Sequence, residues 1–200
     1  MLLSDHDKQV LYRLGGLLSY PSDDLPDRIA HLIDVPYIFD FKAAISTTPL
    51  TTLAELYTRT FDVMPVCIPY VSVHLFGEES FHRARLMAGM RGTLHHAGCT
   101  SEGELPDHIA VILKAAPKMK PEELADLVEY ALRGAVHAMT VALEGTTNPY
   151  ELVLKAVQSV VGAATERDIE RLDATRKAIK SAGEERAKAP PTNQPGCGVL

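Results

Sequence analysis

No apolar run in this chain approaches the roughly 18 residues that a membrane-spanning helix needs, so a bilayer span is excluded. The first residues, Met1 to Lys8, carry Asp5 and Asp7 where a secretory signal would place a basic region before an apolar one, and a cytoplasmic location is expected. The three cysteines, Cys67, Cys99 and Cys197, are far apart and form no CxxC pair. That argues against a disulfide frame and against a structural zinc site. No glycine-rich phosphate loop follows a strand-like run, and no serine sits in a nucleophile elbow. Internal repeats and convincing strand pairs are also missing. Excess positive charge is another absence: the first 165 residues hold 13 Lys/Arg against 20 Asp/Glu, and the last 35 hold 7 against 6. Such an acidic body is a poor match for nucleic acid and a reasonable one for a basic partner.

What remains is 200 residues, 46% hydrophobic, enough for one domain with its own core. The apolar residues recur at helical spacing. Ser4 caps a first helix that carries Val10, Leu11, Leu14, Leu17 and Leu18 on one stripe. Ser22 to Asp24 cap a short second helix, and a third covers Tyr37 to Ile45. A fourth starts after Pro49 and carries Leu53, Leu56, Tyr57 and Phe61, with Asp62 at its polar end. Tyr70 to Phe76 is read as a short buried helix, because no other segment offers a strand to pair with it. Gly77 to Gly98 reads as one helix with Glu78 and Glu79 in its first turn and His95 and His96 near its end, so its charges run with the dipole. Pro106 to Ala116, Pro121 to Gly145 and a helix capped by Asn148 follow, and beyond Thr165 comes a solvated helical extension. The expectation is an all-α, single compact multi-helix domain of about seven to nine helices over residues 1–182. A flexible tail over 183–200, rich in Pro, Gly, Thr, Asn and Gln towards its end, would follow and would leave Cys197 exposed.

The stretch that stands out is Glu104-Leu105-Pro106-Asp107-His108. Proline suits the first helical position, where its missing N–H is not needed, and a carboxylate in the first turn is favoured by the helix dipole. The pattern predicts a helix starting at Pro106, with Asp107 and His108 side by side on its N-terminus. Two metal readings compete with this. Glu79 and His82 have the Glu-x-x-His spacing of di-iron helix bundles but no second copy. His95, His96 and Cys99 could clip a metal across one turn if Gly98 did not break it. A small helical metal-dependent hydrolase using one of these groups is the alternative to a binding protein. Cys67, between Pro65 and Pro69, reads as a small buried hydrophobe more readily than as a nucleophile.

Four motifs occur in a fixed order: Leu17-Leu18-Ser19-Tyr20-Pro21; Tyr57-x-x-x-Phe61-Asp62; Leu75-Phe76-Gly77-Glu78-Glu79 followed by Arg83 and Met87; and Glu104 to His108. In order and spacing they resemble the NarJ/TorD family of molybdoenzyme assembly chaperones, and most of all its nitrate reductase delta-subunit branch, over roughly Leu11 to Ala116. The chain departs from the family pattern at Ala110, where a second proline is usual, at Ala84, where a glycine is frequent, and in having no tryptophan. The resemblance implies an all-helical cytoplasmic chaperone with no catalytic activity and no cofactor of its own. It would bind the N-terminal peptide of a molybdenum-containing catalytic subunit and assist insertion of that client's molybdopterin guanine dinucleotide. It also implies a monomer or homodimer. The implied peptide-binding residues are Glu104, Leu105, Pro106, Asp107, His108, Tyr57, Tyr70, His74, Gly77, Glu78, Arg83 and Met87, with Asp107 as charge partner for a basic side chain and His108 as its neighbour.

Overall fold

The computed structural model describes residues 2–101 and 103–188. Helix α1 (Asp5–Leu17) begins with a capping box in which Ser4 Oγ accepts from Asp7 N–H and the Asp7 carboxylate accepts from Ser4 N–H. Short helices α2 (Leu25–Ala30) and α3 (Ile38–Ile45) follow, then α4 (Leu50–Tyr57) and α5 (Val71–Phe76). The later helices are α6 (Phe81–His96), α7 (Ile109–Ala115), α8 (Pro121–Leu127), α9 (Arg133–Leu143), α10 (Tyr150–Val161) and α11 (Glu166–Lys188). A π-turn, Val128–Leu132, joins α8 to α9, so the two form one rod and the helices number ten among the described residues. No strand forms among them, and the architecture is the expected single all-α domain.

Helix α7 is the centre. Ile109 to Leu113 and Ala115 are all buried, and α1 packs along it more extensively than any other pair of helices in the fold. The approach is close enough to require a glycine. A Cβ on Gly15 would lie 2.9 Å from the Ala110 carbonyl oxygen and 3.0 Å from Lys114 N, both backbone atoms with little freedom to give. Helices α10 and α9 pack on each other, and α1 and α3 pack on α10, so Leu11, Leu14, Ile38, Leu154 and Val157 meet in one core.

Helix α4 continues into a second π-turn, Thr58–Asp62. Phe61 turns into the core there while Asp62 stays exposed. Thr60 ties the turn down: its hydroxyl donates to Leu56 O (2.6 Å) and accepts from the Asn148 side-chain amide (2.8 Å).

Two helix starts differ from the sequence expectation. Helix α6 begins at Phe81 with Ser80 as N-cap, because Gly77 at φ +79° ends α5 and puts Glu78 and Glu79 in the intervening turn. Helix α7 begins at Ile109, not Pro106. An isolated antiparallel bridge between Tyr70 and His108 is the cause. Val71 N–H donates to Asp107 O and Ile109 N–H donates to Pro69 O, both at 2.9 Å, and His108 N–H donates to Leu105 O at 3.0 Å, so residues 105–108 form a tight turn that ends in an extended His108.

The charged C-terminal segment is a helix of its own, and one side of it is packed. Asp168 and Leu172 are buried, Arg133 Nε lies 3.4 Å from the Asp168 carboxylate, and Thr175 Oγ1 donates to Leu75 O at 2.8 Å. Helix α11 runs through position 183 to Lys188; residues 189–200, including Cys197, lie outside the described residues.

Candidate functional site

The turn over residues 105–108 and the bridge at Tyr70 and His108 place two adjacent side chains in different environments, and the residues expected to act together separate into two groups.

The first group is internal. Asp107 is fully buried, and its Oδ2 accepts a very short hydrogen bond from Ser72 Oγ on α5. Arg83 on α6 donates through Nε to the same Ser72 hydroxyl at 3.1 Å and through Nη1 to Glu78 O at 3.2 Å, and its Nε lies 3.9 Å from Asp107 Oδ2. Asp107, Ser72, Arg83 and the Glu78 backbone thus tie the segment before α7 to α5 and α6. Asp107 Oδ1 is also buried and accepts no hydrogen bond from the described residues. The expectation of Asp107 on a presented helix N-terminus is corrected: its carboxylate is held inside the fold by a serine and an arginine. Gly77 and His74 belong to the same framework. A Cβ on Gly77 would meet Ile179 of α11 at 3.1 Å, and His74 Nε2 is 2.8 Å from Ile68 O. Burial lowers the pKa of His74, with Arg176 acting in the same direction against the hydrogen bond to Ile68. Pro106 is buried, and Met87 is half-buried on α6.

The second group faces a cleft of about 800 Å³, in which Tyr57, Tyr70, Glu104 and His108 come together from three separate stretches of the chain. His108 is 4% exposed and caps α7: its Nδ1 accepts from Ala110 N–H at 3.2 Å, so the capping form is the neutral imidazole with Nδ1 unprotonated. Burial depresses its pKa, as does Lys114, against the opposing pull of Glu104 and Asp107. Its ring stands edge-on to Tyr70 at 5.5 Å. Leu105, beside Glu104, is 39% exposed at the edge of this segment.

Aromatic rings form one wall and continue into the core. Tyr20 meets Tyr57 edge-on at 5.5 Å, Tyr57 meets Phe61 at 5.2 Å, and Phe61 meets Tyr150 at 5.2 Å. The Tyr57 hydroxyl donates to Leu18 O at 3.2 Å. Burial raises the pKa of Tyr57 and of Tyr70, and the next influence on each is the negative charge of Glu104, with Asp62 contributing to both.

The cleft also has residues outside the expected set. Tyr20 and Asp62 belong to motifs visible in the sequence, so a signal for them existed. Arg28, Lys114 and Lys118 line the cleft without any local pattern to announce it. Arg28 is engaged by Asp24 (2.7 Å), Gly16 O (2.9 Å) and Ser22 (2.8 Å).

The residues of the metal readings are not gathered. Glu79 lies in the turn before α6, so it does not share a helix with His82, and His95 and His96 are exposed near the end of α6. No group of three or more His, Cys, Asp or Glu side chains able to hold a metal occurs among the described residues. Cys67 is fully buried against Met139 O at 3.6 Å, and burial pushes its thiol up to about 12, far from a nucleophile's range. No helix among the described residues is long and apolar enough to cross a membrane.

A family model described as "Nitrate reductase delta subunit" matches residues 31–151, a span that contains Tyr57, Tyr70, Glu104 and His108 together with the Asp107 network. No curated protein matches the chain.

Proposed function

The chain belongs to the nitrate reductase delta subunit family, and on that premise we propose that it is a non-enzymatic assembly chaperone that holds the N-terminal peptide of a molybdenum-containing catalytic subunit in the cleft between α1, α7 and the π-turn after α4. The observation that carries this reading is the convergence of Tyr57, Tyr70, Glu104 and His108, distant in sequence, on one cleft within the matched residues. Clefts between helices that combine aromatic walls with a few polar groups suit an extended or helical peptide. The chain would act in the cytoplasm, keep the apo-subunit from premature assembly, and release it once molybdopterin guanine dinucleotide is in place. That cofactor belongs to the client.

Family membership supports this division of labour, and so does the chemistry of the cleft. An imidazole committed to a helix cap and the tyrosine rings around it suit recognition of a peptide.

The test is isothermal titration of the full chain with synthetic N-terminal peptides of the molybdoenzyme catalytic subunits encoded in the same genome. The expected result is one-to-one binding by at least one of them. Failure of every peptide to bind folded protein would remove the reading.

A further inference from the structure

We propose that the solvent face of α6 is a second docking surface, separate from the cleft, whose occupant is an acidic amphipathic helix of a partner protein, with Arg85 and Arg91 as counter-charges on its two flanks.

Charge singles this helix out. Its 16 residues include three arginines and three histidines and no carboxylate, in a chain whose formal charge is −6. Arg83 is engaged by Ser72 and the Glu78 backbone. Arg85 and Arg91, by contrast, are exposed and form no ion pair or hydrogen bond with a described residue. His82, His95 and His96 are exposed with them. An unpaired cationic face on an acidic body calls for an anionic partner of limited extent, because a broad one would meet the rest of the body's charge.

Packing leaves the same face open. Helix α6 rests on α5 and buries only Met90 and Leu94. At the helical repeat Arg85 and Arg91 stand roughly 120° apart around the axis, and the strip between them carries Phe81, Ala84, Ala88 and Gly92. Phe81 is 75% exposed, more than any other aromatic side chain among the described residues. A Cβ on Gly89 or Gly92 would meet nothing within 4 Å, and neither glycine has a positive φ. No close approach inside the fold therefore calls for glycine at these positions, although glycine weakens a helix interior.

Charge and shape together select the occupant. The face is about 24 Å long, apolar along its middle and cationic along both edges. Its complement is a helix with small apolar residues on one stripe and Asp or Glu on either side of it. Nucleic acid or an anionic bilayer would also meet the two arginines, but each would face Glu78 and Glu79 just before α6 and the acidic body behind it. Neither would gain from a strip floored by alanine and glycine.

The probe is a fluorescein-labelled, amidated peptide of about three heptads, with alanine on one stripe and glutamate on both flanks. Its twin carries glutamine in place of every glutamate. Read by fluorescence anisotropy against the full chain at low salt, the glutamate peptide should bind roughly tenfold more tightly than the twin. The double variant Arg85→Gln, Arg91→Gln should bring the two peptides level with an unchanged unfolding midpoint, since both side chains are exposed and unpaired. Ala88→Trp keeps every charge but obstructs the strip, and should abolish binding of the glutamate peptide. Equal binding of the two peptides to the unaltered chain, binding of neither, discrimination that survives loss of both arginines, or binding that survives Ala88→Trp would each overturn the proposal. Tighter binding of phosphatidylglycerol vesicles or of a single-stranded oligonucleotide through the same arginines would overturn it too. None of these results bears on the cleft, which no residue of α6 lines.

Discussion

Asp107 and His108 are neighbours in the chain and opposites in the fold. Asp107 reaches inward to Ser72 and Arg83 and joins three segments; His108 reaches the cleft and closes the first turn of α7. The difference teaches that one motif can serve two ends. Half of it fixes the position of α5, α6 and the start of α7, and the other half borders the surface that those elements shape. Substitutions on the inner side should cost stability, and substitutions on the outer side should cost binding.

The largest effect is expected inside. Asp107→Ala removes the acceptor of Ser72 and the partner of Arg83 from a site with 1% side-chain exposure, and should destabilise the fold by about 3 kcal/mol in urea unfolding. Loss of peptide binding with an unchanged unfolding midpoint would move Asp107 to the cleft side of the comparison. Next comes the scaffold under the cleft. Gly15→Ala forces α1 away from the α7 backbone and should cost about 2 kcal/mol, again read by urea unfolding.

A smaller effect follows from the histidines. Burial holds the pKa of His108 and of His74 below the ordinary value, so the unfolded chain takes up protons at a pH where the folded chain does not. Stability should therefore be complete above about pH 6.5 and should decline as the pH falls below it, towards the folded pKa values. Protonation of His108 at Nδ1 would also remove the α7 cap. Unfolding free energies measured across this range should slope for the unaltered chain and slope less for the double variant His74→Gln, His108→Gln. The smallest effect on stability is expected at the rim: Glu104→Gln should change it by less than about 0.5 kcal/mol. The same change should weaken client-peptide binding in a titration, and this sharpens the contrast with Asp107 most directly.

Much of the fold was legible without coordinates. Ser4, Pro121 and the apolar stripes of α1, α9 and α10 announce helices through local chemistry, and the structure forms them there. The start of α7 was not legible. Pro106 has every local qualification to begin a helix, but backbone bonds to residues 69 and 71 anchor the segment as a turn that ends in an extended His108, and nothing near Pro106 encodes those partners. Glu79 and His82 were misplaced for a related reason, since the turn at Gly77 delays α6 until Ser80 can cap it. For the cleft, Tyr57, Tyr70, Glu104 and His108 were identified together, whereas Arg83, Gly77 and His74 proved to be framework.

By itself the sequence determined an all-helical domain and an acidic body, because helical periodicity, capping and composition act over a few residues at a time, and its ordered motifs carried the family resemblance. Only the tertiary structure decided which side chains share a surface. The bridge between Tyr70 and His108 joins residues far apart in the chain, and the turn it anchors places Asp107 in the interior and His108 at the cleft.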